Sequence, residues 1–126
     1  MALARWILLV TGVTFAGIGV GFLLKPVSWA AWLDIVVPTP LARTDLRATY
    51  GGFDLAFGVF LLLAARRPDW VAPGLVANAL ALGGFALGRL LGFAAEGTVS
   101  ARLVPFLVIE LAGVALSLHA YGKIQP

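Results

Sequence analysis

Four long apolar runs constrain the fold of this chain more than any other feature of its sequence. They lie near residues 6–24, 46–65, 71–93 and 103–121, and each is close to the roughly 20 residues that a helix needs to cross a bilayer. Helices satisfy their own backbone hydrogen bonds in hydrocarbon, and the runs lack the alternation of barrel strands. We therefore predict an all-α integral membrane four-helix bundle that forms a single domain over residues 1–126.

Composition excludes several classes of function. The net charge is +3, but the basic residues are scattered at segment ends without interleaved aromatics, so we expect no nucleic-acid partner. The absence of cysteine excludes disulfides and thiol catalysis, and a single histidine with few carboxylates leaves little for a metal site. Nothing resembles a nucleophile with its base or a cofactor-binding loop. We expect no enzymatic activity, no cofactor and no metal.

The connection from residue 25 to residue 42 is the longest loop. Trp29, Trp32, Leu33 and Val36 share one helical face, which predicts a short helix lying in the headgroup region. This loop either anchors the protein at the interface or forms a lid over polar residues of the second span. After it, Thr39 followed by proline is typical of an N-cap with proline at the first helical position.

Glycines predict close helix packing in the first and third spans. Gly17 and Gly21 have GxxxG spacing, and Gly84, Gly88 and Gly92 repeat every four residues. Near the start of the third helix, we expect Asp69 or Ala72 to be the N-cap, with Pro73 in the first turn.

Charged residues enter the second span between residues 43 and 58. On a regular helix, Arg43, Arg47, Tyr50 and Asp54 share one face, because they are spaced at i, i+4, i+7 and i+11. In the third span Asn78 and Arg89 share a face, and in the fourth Glu110 aligns with Gly113 and Ser117.

The buried charges lie at matching depths. At about 1.5 Å per residue, Asp54, Arg89 and Glu110 each lie roughly 6–12 Å inward from the same side of the membrane. An unpaired charge inside a span costs about 2.5–3.5 kcal/mol, so we expect two arginines and two carboxylates to meet as a neutral set. The candidate site, which is either a ligand-binding site or a buried polar network, comprises Arg47, Tyr50, Asp54, Asn78, Arg89 and Glu110.

Three interpretations of this set are open. The first is a structural network that fixes the register of the helices. The second is a wet cavity in which Arg47 and Arg89 bind a polar or anionic headgroup and the carboxylates are counter-ions. The third is a proton relay through Asp54 and Glu110, although no polar path continues to the opposite face.

Two short sequence similarities suggest that spans 1 and 2 resemble spans 3 and 4. Residues 15–22 are similar to residues 85–93, and residues 54–59 are similar to residues 110–114. A true duplication would give two parallel helix-hairpin repeats, with Asp54 and Glu110 in equivalent places.

The sequence resembles a known family in several ordered motifs. The run from Leu46 to Gly52 with the later Gly58, the pair Gly88 and Arg89, and the pair Glu110 and Leu111 are similar to the small bacterial four-span family catalogued as domain of unknown function 4345. The likeness covers nearly the whole chain, and the family is in turn distantly similar to DoxX-like proteins. The resemblance implies a four-helix inner-membrane protein and adds no reaction.

Two classes of function follow as expectations. The first is a non-enzymatic protein that binds membrane lipids or a small amphiphilic ligand, or that serves as a subunit of a larger membrane complex. The alternative is a small transporter or proton-coupled carrier working as a homo-oligomer. For orientation, lysine and arginine are nearly balanced between the two sides, and the adjacent Arg66 and Arg67 favour both termini in the cytoplasm of a bacterial cell.

Overall fold

The protein is helical throughout its secondary structure. The computed structural model describes residues 1–124, and no strand occurs among them. The elements in chain order are α1 (Ala2–Leu24), α2 (Pro26–Ala31), α3 (Pro40–Leu46), a π-helical segment (Arg47–Phe53), α4 (Asp54–Arg66), α5 (Pro68–Glu96) and α6 (Val104–Ile124).

Four of the helical stretches are long and apolar enough to cross a membrane. They are Ala2–Leu24, Pro40–Arg66, which joins α3, the π segment and α4 without a break, Pro68–Glu96 and Val104–Ile124. The predicted all-α four-helix membrane fold is confirmed. Each helix includes most of its predicted span, and the second and third extend beyond theirs at both ends because polar residues and prolines continue the helix past the apolar run.

Local chemistry determines where the second and third long helices begin. The Thr39 side chain accepts a hydrogen bond from the Ala42 amide at 3.1 Å, and Pro40 occupies the first turn, as predicted. The predicted N-cap of α5 was wrong. This helix begins at Pro68 with Arg67 as N-cap, so Pro73 lies inside it rather than in its first turn. A proline at the first position of a helix loses no hydrogen bond, and Pro68 therefore serves as an earlier start.

The loop after α1 contains the predicted short helix, but it is shorter than the aromatic spacing indicated. Helix α2 ends at Ala31, and Asp34 then adopts a left-handed conformation with φ 57°. Trp32 and Val36 consequently lie outside the helix, and both are more than 80% exposed. Trp29 remains in α2, where its ring packs on Phe22 at 5.8 Å between centroids.

The chain divides into two compact units. The N-terminal unit comprises residues 9–63. In it, α1 and the second long helix approach closely through glycines. A Cβ on Gly58 would lie 2.5 Å from the backbone nitrogen of Ala16, and a Cβ on Gly19 would overlap the backbone of Leu55. Only hydrogen side chains fit at these two positions.

The C-terminal unit comprises residues 1–8 and 64–124, and α5 packs along α6 in it. The buried residues of α5 include Asn78, Leu82 and Ala86, and those of α6 include Glu110 and Ser117. The prediction that Gly84, Gly88 and Gly92 form a close-packing face was wrong for residues 1–124. A Cβ on any of these three would meet no atom of residues 1–124 within 4 Å. In the α5–α6 contact, Leu82 instead lies so close to Gly113 that a Cβ there would overlap its side chain.

Candidate functional site

The strongest polar contact of the C-terminal unit joins α5 to α6. The Nε of Arg89 donates to Oε1 of Glu110 at 2.9 Å and to Oε2 at 3.0 Å. The side chain of Glu110 is 8% exposed and that of Arg89 is 22% exposed. This partly buried ion pair confirms that the two residues predicted at matching depth on these helices face one another.

The contact with Glu110 leaves most of the Arg89 guanidinium available. A guanidinium carries five N–H donors, of which Nε contributes one. Among residues 1–124, the four N–H groups on Nη1 and Nη2 have no hydrogen-bond acceptor. The guanidinium carbon lies 5.2 Å from the centre of the Phe106 ring, which attracts the positive charge but accepts no conventional hydrogen bond.

A second polar contact lies deeper between the same two helices. The amide nitrogen of Asn78 donates to the hydroxyl of Ser117 at 3.0 Å, and both residues are completely buried. Ser117 was absent from the candidate set, although its spacing of i+7 from Glu110 had placed the two on one face. The polar stripe of the α5–α6 contact therefore consists of two pairs.

In the N-terminal unit, Arg47 and Tyr50 lie at the surface. The Nε of Arg47 donates to the backbone carbonyl of Leu23, in the last turn of α1, at 3.1 Å. The ring of Tyr50 stacks on that of Phe22 at 5.0 Å between centroids. Both side chains thus fasten the second long helix to the end of α1.

Asp54 differs from Arg47 and Tyr50 in its environment. It is 5% exposed, and its carboxylate has no hydrogen-bond or ion-pair partner among the residues described. Although Arg47 lies in the same unit, the two do not form an ion pair. Asp54 is the first residue of α4, directly after the π-helical segment, and its amide donates to the carbonyl of Gly51.

The π-helical segment explains why the predicted polar face is not continuous. In a π-helix each residue rotates the chain by less than the roughly 100° of an α-helix, because hydrogen bonds run from i to i+5. Over Arg47–Phe53 the difference accumulates, so Asp54 no longer follows Arg47 and Tyr50 on one side. The result is an exposed Arg47 and a buried Asp54.

Comparison with known families identifies the chain. The family model described as Domain of unknown function (DUF4345) matches residues 3–121. The chain belongs to this family. No curated protein and no solved structure matches the sequence.

The most specific motif of this DUF4345 protein coincides with the irregular part of its second long helix. Residues 46–52 run from the last residue of α3 into the π-helical segment. Gly51, which is buried, faces Leu23, and a Cβ there would lie 2.9 Å from that side chain. Within this motif, Gly51 and Arg47 therefore have a packing role at the end of α1.

The six predicted site residues of this DUF4345 protein thus occupy different settings. Arg89 and Glu110 are paired, Asn78 pairs with Ser117, Arg47 and Tyr50 contact α1, and Asp54 is buried without a partner among residues 1–124. In the same part of the chain, no group of three or more His, Cys, Asp or Glu side chains lies close enough together to hold a metal ion.

Proposed function

We propose that this DUF4345 protein binds a membrane phospholipid through the free edge of the Arg89 guanidinium. The observation that carries the proposal is the single-donor contact with Glu110, which leaves four N–H groups without acceptors in residues 1–124. In hydrocarbon, each N–H group without an acceptor costs roughly several kcal/mol. These donors therefore favour a ligand that supplies acceptor oxygens.

The depth of Arg89 supports a lipid headgroup as the source of those oxygens. Helix α5 has 29 residues and is about 44 Å long, whereas the hydrocarbon core is about 30 Å thick. If the helix is centred in the bilayer, Arg89 lies about 10 Å from the midplane, one short step inside the hydrocarbon boundary. An arginine side chain reaches from this depth to the ester and phosphate oxygens of the nearer leaflet.

The charge of the site favours a zwitterionic or weakly anionic phospholipid over a strongly anionic ligand. The Arg89–Glu110 pair is formally neutral, so a strongly anionic ligand would leave uncompensated negative charge beside Glu110. A phosphate whose own headgroup carries a cation avoids this, and the guanidinium edge matches two phosphate oxygens with parallel hydrogen bonds. The aromatic ring of Phe106, which is 45% exposed, would contact the glycerol or upper acyl region.

Such a protein would be a non-enzymatic component of the bacterial inner membrane, with both termini in the cytoplasm. Its ligand would enter the site from the surrounding bilayer. The α5–α6 surface around the ion pair is apolar, and Leu90, Val108 and Ile109 are exposed on it. Lipid binding at this position fits either a lipid-dependent subunit of a larger complex or a homo-oligomer with lipid between its copies.

Native mass spectrometry of the purified protein tests the proposal. We expect the wild-type chain to retain a phospholipid, and we expect its occupancy to fall at least about threefold in an Arg89→Gln/Glu110→Gln double variant, which removes both charges together and leaves no buried ion unpaired. The matched control is Arg102→Gln, at an exposed arginine just before the first residue of α6. This variant should retain the lipid.

Two outcomes would contradict the proposal. Equal phospholipid occupancy in the double variant and the wild type, at equal thermal stability, would show that the guanidinium does not bind the headgroup. Displacement of the lipid by millimolar inorganic phosphate would show instead that the site takes a soluble anion.

A further inference from the structure

Asp54 is buried without a partner among residues 1–124, and Phe53 and Phe57 lie within one turn of it on the same long helix. We propose that this part of the N-terminal unit binds a lipophilic organic monocation, a quaternary or alkyl ammonium whose charged head contacts the Asp54 carboxylate and whose apolar tail lies along the helix surface. The chemistry differs from that of the phospholipid phosphate, and the two proposals stand or fall separately.

Asp54 lies near the middle of its long helix. The second long helix, Pro40–Arg66, has 27 residues, and Asp54 lies 14 residues after its start, or about 21 Å along an axis of about 40 Å. A carboxylate near the middle of a membrane-spanning helix is costly, and acidic residues at such positions typically pair with a basic group or mark a ligand pathway. No basic group pairs with Asp54 among residues 1–124.

The backbone on both sides of Asp54 is closely packed against α1. Helix α1 approaches residues 51–55 so closely that Gly19 tolerates no Cβ against the Leu55 amide. One turn later, Gly58 packs equally closely on Ala16. The backbones of α1 and the second long helix are therefore packed together next to Asp54. A small rotation of the second helix cannot bring the Asp54 carboxylate to the membrane surface. A cationic ligand that reaches the carboxylate would supply its counter-charge.

The aromatic side chains supply the rest of the site. Phe57 follows Asp54 by three residues and so adjoins it on the helix surface. Its ring contacts that of Phe15 edge to face, at 4.9 Å between centroids and 83° between planes. Phe53 and Phe60 flank the Phe57 ring, each 6.1 Å away. Aromatic faces attract ammonium groups, so a cation that pairs with Asp54 would also be attracted to the rings near it.

The same aromatic row gives a route of entry from the bilayer. Phe53 is 62% exposed, Phe57 is partly exposed and Phe15 is buried, so this row of rings runs from the exposed surface of α4 to the buried ring of Phe15 on α1. Val59 and Leu63, both more than 40% exposed, continue the apolar surface along α4. An amphiphilic ammonium concentrates in the membrane, and its alkyl chain can remain there while the head reaches the carboxylate.

Equilibrium dialysis of the protein in nanodiscs against labelled decyltrimethylammonium tests this inference, with empty nanodiscs giving the partition background. We expect one saturable site per chain. Asp54→Asn should weaken binding about tenfold or more, because it removes the charge and nearly preserves the shape, whereas Asp45→Asn, at an exposed position of the same long helix, should leave it unchanged.

Further variants keep the test decisive if Asp54→Asn fails to fold. Asp54→Glu should retain saturable binding, and Phe57→Leu should weaken it severalfold, while Phe93→Leu, at an aromatic residue of α5, should not. The proposal is overturned if the wild type binds no more than empty nanodiscs, if Asp54→Asn or Phe57→Leu binds like the wild type, or if uncharged decanol competes as well as the ammonium.

Discussion

Arg89 and Glu110 are joined through a single nitrogen, with both carboxylate oxygens within 3.0 Å of Nε. Arginine often pairs with a carboxylate through two parallel N–H groups, and here that edge is not used. The ion pair therefore fixes α5 against α6 while most of the guanidinium stays available to a ligand. One contact can thus have a structural role and a binding role at once.

Removing only one partner of this pair should destabilise the protein. Glu110→Gln leaves a partly buried arginine without its counter-ion, and we expect a loss of about 3 kcal/mol in the free energy of unfolding, measured by reversible denaturation in mixed micelles. Glu96→Gln, an exposed acid at the end of α5, is the control and should change the stability by less than about 0.5 kcal/mol. Equal stability of the two variants would contradict the prediction.

Gly58 and Gly88 should respond oppositely to substitution by alanine. Gly58→Ala places a Cβ 2.5 Å from the Ala16 nitrogen, and backbone cannot easily move away, so we expect a loss of roughly 1–3 kcal/mol in unfolding free energy. Gly88→Ala meets no neighbouring atom within 4 Å among the described residues, and higher helix propensity should leave that variant as stable as the wild type or more so. Thermal unfolding followed by circular dichroism compares them.

The deeper pair should show strong coupling. Ser117→Ala removes the hydroxyl that accepts from Asn78, and we expect a loss of about 1–3 kcal/mol because a fully buried amide donor loses that acceptor. In the Ser117→Ala/Asn78→Leu double variant, the loss of unfolding free energy should be smaller than the sum of the losses in the two single variants. A double-mutant cycle measures the coupling, and strict additivity would show that the hydrogen bond contributes little.

The N-cap of the second long helix should have a local effect. Thr39→Ala removes the oxygen that accepts from the Ala42 amide, at a cost of about 1 kcal/mol. Hydrogen exchange should therefore accelerate at Ala42 and its neighbours in the first turn, while the amides of α5 remain as protected as in the wild type. Thr98→Ala, at an exposed threonine between α5 and α6, should alter neither region. Uniformly faster exchange would indicate a global effect instead.

Sequence reasoning succeeded where the deciding forces act along one helix. The four spans followed from apolar length, the cap at Thr39 from its side-chain chemistry, and the pairing of Arg89 with Glu110 from depth and the cost of an isolated charge. It failed where a face was extrapolated through an irregular turn. Arg47 and Tyr50 remain at the surface, whereas Asp54 turns inward after the π-helical segment.

The amino-acid sequence by itself determined that this chain is a four-helix membrane protein of the DUF4345 family, because hydrophobic length and helix capping are local properties. Only the tertiary structure decided which small and polar residues meet. Gly19 and Gly58 are used for close packing and Gly88 is not, and Glu110 has an arginine whereas Asp54 has no partner within residues 1–124. Those choices depend on how side chains of separate helices fit together, and a change in helical winding at the π segment redirects every residue after it.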